Sequence, residues 1–215
     1  MTTTAALLDE AIELLYARHT SDPGAAATAR HDYEDRRGKV HQDDELWEAW
    51  SAAFVEWFVV ERVAPGEQLP AAVTTYRELA AAGDPRAAAM RALVTSQRSL
   101  YEIQTVARGR IELLDLLGGA VFHVDEQRAL HGVEVGDVAE LRLVGLAGEV
   151  QFGRTFIYHP KAARGAIVER ARVMLGKGES RRDVIDHIAQ LRVNVTRYRH
   201  MPVARVYELG ARIVG

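Results

Sequence analysis

The side chains best suited to chemistry gather in three places. The densest is His31–Glu48, HDYEDRRGKVHQDDELWE, which holds His31, Asp32, Glu34, Asp35, His41, Asp43, Asp44 and Glu45. Imidazole and carboxylate are the ligands of hard or borderline divalent cations, so this stretch is where a metal-dependent hydrolase would centre. The favoured reading needs less: a solvated loop in which Asp43 or Asp44 caps the following helix and puts negative charge at its N-terminal end. The second place holds His123, His131 and His159. His123 and His131 are eight residues apart across an expected turn, with no acid placed to fix a tautomer, so a three-histidine metal site is not expected. Asp115 and Asp137 have turn chemistry. The third runs from Ser180 to the end, where seven arginines face three acids. Arg192, Arg197, Tyr198 and Arg199 are the candidate binding residues, because arginine forks grip phosphate and a tyrosine can stack. The favoured alternative pairs these arginines with the acidic 31–48 stretch, fastening the two helical ends together. No nucleophile–base pair, phosphate loop or credible metal set can be assembled. No catalytic residue, metal or cofactor is therefore assigned.

Helical spacing frames these residues on the N-terminal side. Leu7, Leu8, Ile12, Leu15 and Tyr16 recur at three and four residues over 5–19, and Ser21-Asp22-Pro23-Gly24 ends that helix as a turn. From Asp44 to Arg62, Leu46, Trp47, Trp50, Ala53, Phe54, Trp57 and Phe58 share one broad arc, with Glu48 and Glu56 outside it. All three tryptophans lie here. The arc could be a stacking platform, but aromatic area of this size is expected to be core. Two alanine-rich helices follow, the second opened by Asp84 as cap and Pro85 at its first position.

Near Ser99 the period changes from 3.6 to 2, and near Pro160 it changes back. Five short segments separated by Gly109, Gly118-Gly119, Gly136-Asp137 and Ala147-Gly148 alternate in polarity; in one, Val138, Glu140, Arg142 and Val144 oppose Ala139, Leu141 and Leu143. Five strands suit a small closed barrel. The expected class is thus α+β: a five-stranded SH3-like or OB-like β-barrel over 99–160, flanked by helical regions at 1–98 and 161–215 in one compact unit. Beyond it, 161–175 is helical, and Ser180 caps a further helix with an apolar stripe of Val184, Ile188, Leu191, Val195 and Tyr198. Val193, Val195 and Thr196 weaken its end, and Pro202 opens a short last helix.

The segments FVEWFVVER (Phe54–Arg62), SLYEIQ (Ser99–Gln104), IELLDLLGG (Ile111–Gly119), Gly136-Asp137 and FGRTFIYHP (Phe152–Pro160) resemble an uncharacterised family of bacterial proteins over roughly 30–210. The barrel also looks like one found in larger proteins with a cysteine-rich SEC-C zinc motif. This chain has no cysteine, so no zinc role carries over. The His31-Asp32 dipeptide resembles part of the metal-dependent phosphohydrolase pattern, whose other ligands cannot be placed.

Composition narrows the class. A chain of 215 residues with 48% hydrophobic residues can bury a core, and a formal charge of −3 gives no global pull toward nucleic acid or anionic membranes. Lack of cysteine suits a reducing cytoplasm. Neither a signal peptide nor a membrane span is expected. The expected function is that of a non-enzymatic cytoplasmic interaction or regulatory protein whose partner is another protein. A nucleic-acid-binding protein using the barrel face and basic C-terminal segment, and the metal-dependent hydrolase, are the alternatives.

Overall fold

The computed structural model describes residues 4–107, 109–125 and 133–210. Those residues form eight α-helices and a five-stranded antiparallel sheet. Helix α1 spans Thr4–His19. Helix α2, Pro23–Arg37, occupies what sequence patterning gave to a turn and the start of a loop. Asp22 caps it by accepting the Gly24 N–H, and Pro23 fills the first helical position, where its missing N–H costs nothing. Its only buried residues are Ala29, Tyr33 and Arg37, one per turn, so no apolar stripe announces it. His31 to Arg37 are therefore helical rather than looped. Asp44 accepts the N–H of His41 within the loop instead of capping α3 (Trp47–Val60), whose N-cap, Leu46, makes no side-chain bond.

The aromatic arc of α3 is core, as its spacing implied. Trp50, Phe54, Trp57 and Phe58 are buried, and three of them surround Tyr33 at ring separations of 5.3–5.7 Å. Helices α4 (Ala71–Ala81) and α5 (Ala87–Val94) complete this layer with α1, and Val144 and Ile157 of the sheet join its core.

The strands are β1 (Gln97–Ala107), β2 (Arg110–Asp115), β3 (Val121–Asp125), β4 (Val138–Leu146) and β5 (Glu149–His159), in the order β3-β2-β1-β4-β5. The expected barrel does not close. Edge strands β3 and β5 approach each other, yet no ladder joins them, and β3 offers five residues against eleven in β5. The sheet instead coils around its own core of Tyr101, Ile103, Leu113, Val124, Leu141 and Phe152. Two register slips bend it. One lies between Ile103 and Thr105 of β1, within its ladder with β2 and just beyond the last residue paired with β4. The other lies opposite Arg142, where β5 inserts Gly153-Arg154-Thr155 between the partners of Leu141 and Leu143. Gly118-Gly119 sits in a longer 116–120 connection rather than a two-residue hairpin.

A 3₁₀ turn (Lys161–Ala163) leads into α6 (Arg164–Gly176), α7 (Arg181–Arg197) and α8 (Val203–Leu209). Ser180 caps α7 by accepting the Asp183 N–H. These helices bury Ile167, Val184, Ile188, Leu191 and Tyr207 against Leu100 and Val138 of the sheet. Among the described residues no helix is long and apolar enough to cross a membrane.

Candidate functional site

Charged side chains meet where α2, α3 and α7 cover the sheet. Arg37, at the end of α2, is fully buried; its guanidinium lies 5.0 and 5.1 Å from the ring centroids of Tyr33 and Trp50. It donates to both oxygens of Glu140 on β4 at 2.7 and 2.8 Å, and to Asp186 on α7 at 2.7 Å. Arg98, at the start of β1, forks onto Glu61 at 2.9 and 3.0 Å. It also reaches Glu140 at 2.9 Å and Asp186 at 3.3 Å. Arg142 of β4 donates to Glu61, to Ser96 at 2.9 Å and to Glu56 at 3.4 Å.

The β5 bulge makes room for Glu56. Looping out opposite Arg142 frees the Arg154 N–H, which donates to Glu56 at 2.6 Å, and Thr155 donates its hydroxyl at 3.0 Å. Glycine at 153 leaves room for this approach, because a Cβ would stand 3.0 Å from Glu56 Oε1 and 3.1 Å from Arg142 Cβ and press on both. A second, smaller set lies beside the first. Asp115, at the end of β2, accepts from Ser99 at 2.6 Å, from Arg181 at 2.7 Å and from Gln97 at 3.2 Å.

Charge balance keeps Glu61, Glu140, Arg37 and Arg98 ionised. Burial alone would raise the Glu61 carboxyl, but Arg98 and Arg142 outweigh it and hold it at about 2. Glu140 is likewise lowered: burial opposes ionisation, and Arg37 and Arg98 overcome it. Burial would also discharge Arg37 and Arg98, yet the facing carboxylates raise both above an ordinary arginine. A group that works as a general acid or base needs a pKa near the working pH. Glu61, Glu140, Arg37 and Arg98 are all far from that condition.

Two adjoining cavities open over this network and share Glu61, Arg98 and Arg182 in their walls. One, of about 490 Å³, extends along α2 past Arg36, Asp35 and Asp32. The other, of about 380 Å³, lies between the end of α5, the start of β1 and the start of α7. Together they form one cleft, with Arg182 at its mouth.

The residues singled out from sequence lie elsewhere or serve this frame. Arg192 donates to the Tyr158 carbonyl at 2.8 Å and to Glu45 at 2.9 Å, a link between the C-terminal helix and the acidic stretch. Arg197 is exposed and donates to the Lys39 carbonyl at 2.8 Å, while Arg199 is exposed and donates to the nearby Thr196 carbonyl at 3.1 Å. Tyr198 ends α7 as its C-cap. In the acidic stretch, Asp32 is gripped by Arg62 at 2.8 and 3.2 Å, and His31 faces Asp35 along the outside of α2. Among the described residues no three His, Asp or Glu side chains are grouped to hold a metal ion. His123 sits exposed on β3 beside Glu112. His159 is buried 2.9 Å from the Tyr207 hydroxyl, and burial drives it down to about 3. His131 lies outside the described residues.

Residues 29–191, most of this 215-residue chain, match a family of unknown function (DUF7986). The chain belongs to that family. The match covers α3, the sheet and the parts of α2 and α7 that carry Arg37 and Asp186. No match is found among curated proteins or among solved structures.

Proposed function

We propose that this member of the family is a non-enzymatic interaction or regulatory protein, cytoplasmic in setting, whose charged cleft is a recognition surface. One observation carries this reading: Glu61, Glu140, Arg37 and Arg98 beneath the cleft neutralise one another, which holds the two carboxyls below and the two guanidiniums above their ordinary ranges and away from proton transfer near neutral pH. Such a network is built to keep its charge and its geometry. Its members come from α2, α3, β1, β4 and α7, so it sets the walls of the cleft relative to one another. Preorganised walls lower the ordering cost of binding. The complete lack of cysteine fits a reducing compartment.

The strand order β3-β2-β1-β4-β5, with β3 and β5 drawn together, favours the OB-like over the SH3-like arrangement. Sheets of that kind often take nucleic acid on the strand 2–3 face. Here that face supports the alternative poorly. Glu112 stands beside His123, Arg110 beside Asp125, and the large apolar residue exposed on β3 is Val121 rather than an aromatic.

The test is chemical. Ligands found by thermal-shift screening of the purified protein are incubated with it and recovered for mass spectrometry. Recovery unchanged supports the reading. Conversion of a bound ligand, abolished by Glu61→Gln, refutes it.

A further inference from the structure

Hydrogen-bonding capacity in the smaller cavity is unequal. Its acceptors are occupied: Glu61 takes three N–H bonds from Arg98 and Arg142, and Asp115 beside it takes bonds from Ser99, the Leu117 N–H, Gln97 and Arg181. Its donors are not. Arg182 makes no hydrogen bond among the described residues. Its closest carboxylate oxygen, on Glu61, stands 3.7 Å away, and its side chain is 65% exposed. Arg181 spends one terminal nitrogen on Ser99 and Asp115; among the described residues its Nε and Nη1 make no hydrogen bond, and Nη1 packs beside Gly118. Both lie in the first turn of α7, whose partial positive charge adds to theirs. Val60, Val94 and Ile185 are the apolar side chains that border the cavity, and of these Val94 is the partly exposed one.

Resting on the reading of the cleft as a recognition surface, we propose that this cavity binds a small soluble organic phosphate monoester. The phosphate would sit on the Arg182 fork and the remaining N–H groups of Arg181, and its organic group against Val94 at the edge of Val60. Two neighbouring guanidinium forks suit an acceptor that presents several oxygens and close to two negative charges, which a monoester does near neutral pH. A volume of about 380 Å³ is enough for such a molecule. The mixed wall selects against inorganic phosphate, which has nothing to place on the apolar side.

The test is calorimetric titration of the full chain with phenyl phosphate, with inorganic phosphate, and with vesicles carrying phosphatidic acid. One site for phenyl phosphate is expected, with weaker binding of inorganic phosphate. Arg182→Ala removes an exposed side chain without hydrogen bonds, so the melting temperature should hold while affinity falls about tenfold or more. Arg172→Ala, which removes an exposed arginine on α6 paired with Glu169, should leave affinity unchanged. No binding of phenyl phosphate at millimolar concentration, equal affinity for inorganic phosphate, an affinity indifferent to Arg182→Ala or equally reduced by Arg172→Ala, or binding to vesicles alone would each overturn the proposal. The two readings fail separately. Release of phenol would end the non-enzymatic account and leave the site, whereas absence of binding would end the site and leave that account.

Discussion

Arg37→Met is the sharpest perturbation of the network. The side chain has no solvent exposure and makes three hydrogen bonds of 2.7–2.8 Å to two buried carboxylates. Methionine keeps much of the stem that fills the space beside Tyr33 and Trp50, so lost charge rather than lost volume dominates. Without Arg37, Glu140 retains Arg98 at 2.9 Å, and Asp186 retains only Arg98 at 3.3 Å and Arg36 at 3.8 Å. Leaving a buried charge under-compensated costs about 3–5 kcal/mol. For a chain of this length that is a fall of roughly 6–20 °C in Tm. Urea unfolding at pH 7, followed by tryptophan fluorescence, measures it. Adding Glu140→Leu to Arg37→Met should recover part of the loss, because an apolar pair no longer leaves that carboxylate stranded. A loss below about 1 kcal/mol for Arg37→Met, the value of a surface pair, would refute the claim that this network is dry and structural.

Acid should destabilise the fold in two stages. His159 is neutral at about 3 in the folded chain against an ordinary 6.5, so its contribution is complete above 6.5 and is lost as pH falls; the loss reaches about 3 kcal/mol by pH 4.5. Glu61 follows, its contribution complete above about 4.5 and lost toward about 2. Urea midpoints between pH 7 and 4.5 should fall more steeply in the wild type than in His159→Asn, where His19 and His187, also lowered by burial, still contribute; equal slopes would contradict this. Gly38 ends α2 at φ +89°, and a Cβ there would also meet Val193 at 3.4 Å. Gly38→Ala should therefore cost about 1–3 kcal/mol in the same unfolding assay, and a neutral result would show that the turn can relax.

Period and spacing made most of the elements visible in advance. The α3 arc, the five strands and the Ser180 cap carry their signals locally, in residues three, four or two apart. Helix α2 escaped because its buried face is alanine, tyrosine and arginine. Its local signal is Asp22-Pro23, the same pair as Asp84-Pro85, which stands just ahead of α5 with Arg86 rather than Asp84 at the N-cap. An open edge between β3 and β5 leaves no trace in alternation, which reports the facing of side chains and not the bonding of backbones. The network was hidden for a related reason. Glu140 and Arg142 are charged, so the strand pattern set them outward, and Glu56 lay outside the aromatic arc. Each is buried because opposite charges on other elements cover it. The available signal was Val138 and Val144, which flank Glu140 and Arg142 on one strand face and mark that face as covered. The C-terminal arginines drew notice as a dense basic segment, but Arg192 turns inward to Glu45 and the Tyr158 carbonyl. Arg181 and Arg182 of the same segment are the ones that border the cleft.

The claim that the site holds charge without exchanging protons is tested most directly by titrating its carboxyl groups. Side-chain carboxyl ¹³C shifts of Glu61 and Glu140, assigned through the Glu61→Gln and Glu140→Gln variants, are followed from pH 8 to 4. The account predicts no inflection in either group between pH 8 and 5, with Glu61 still ionised at pH 4. An inflection between pH 5 and 8 in either group would contradict it, because it would place a working acid or base beneath the cleft.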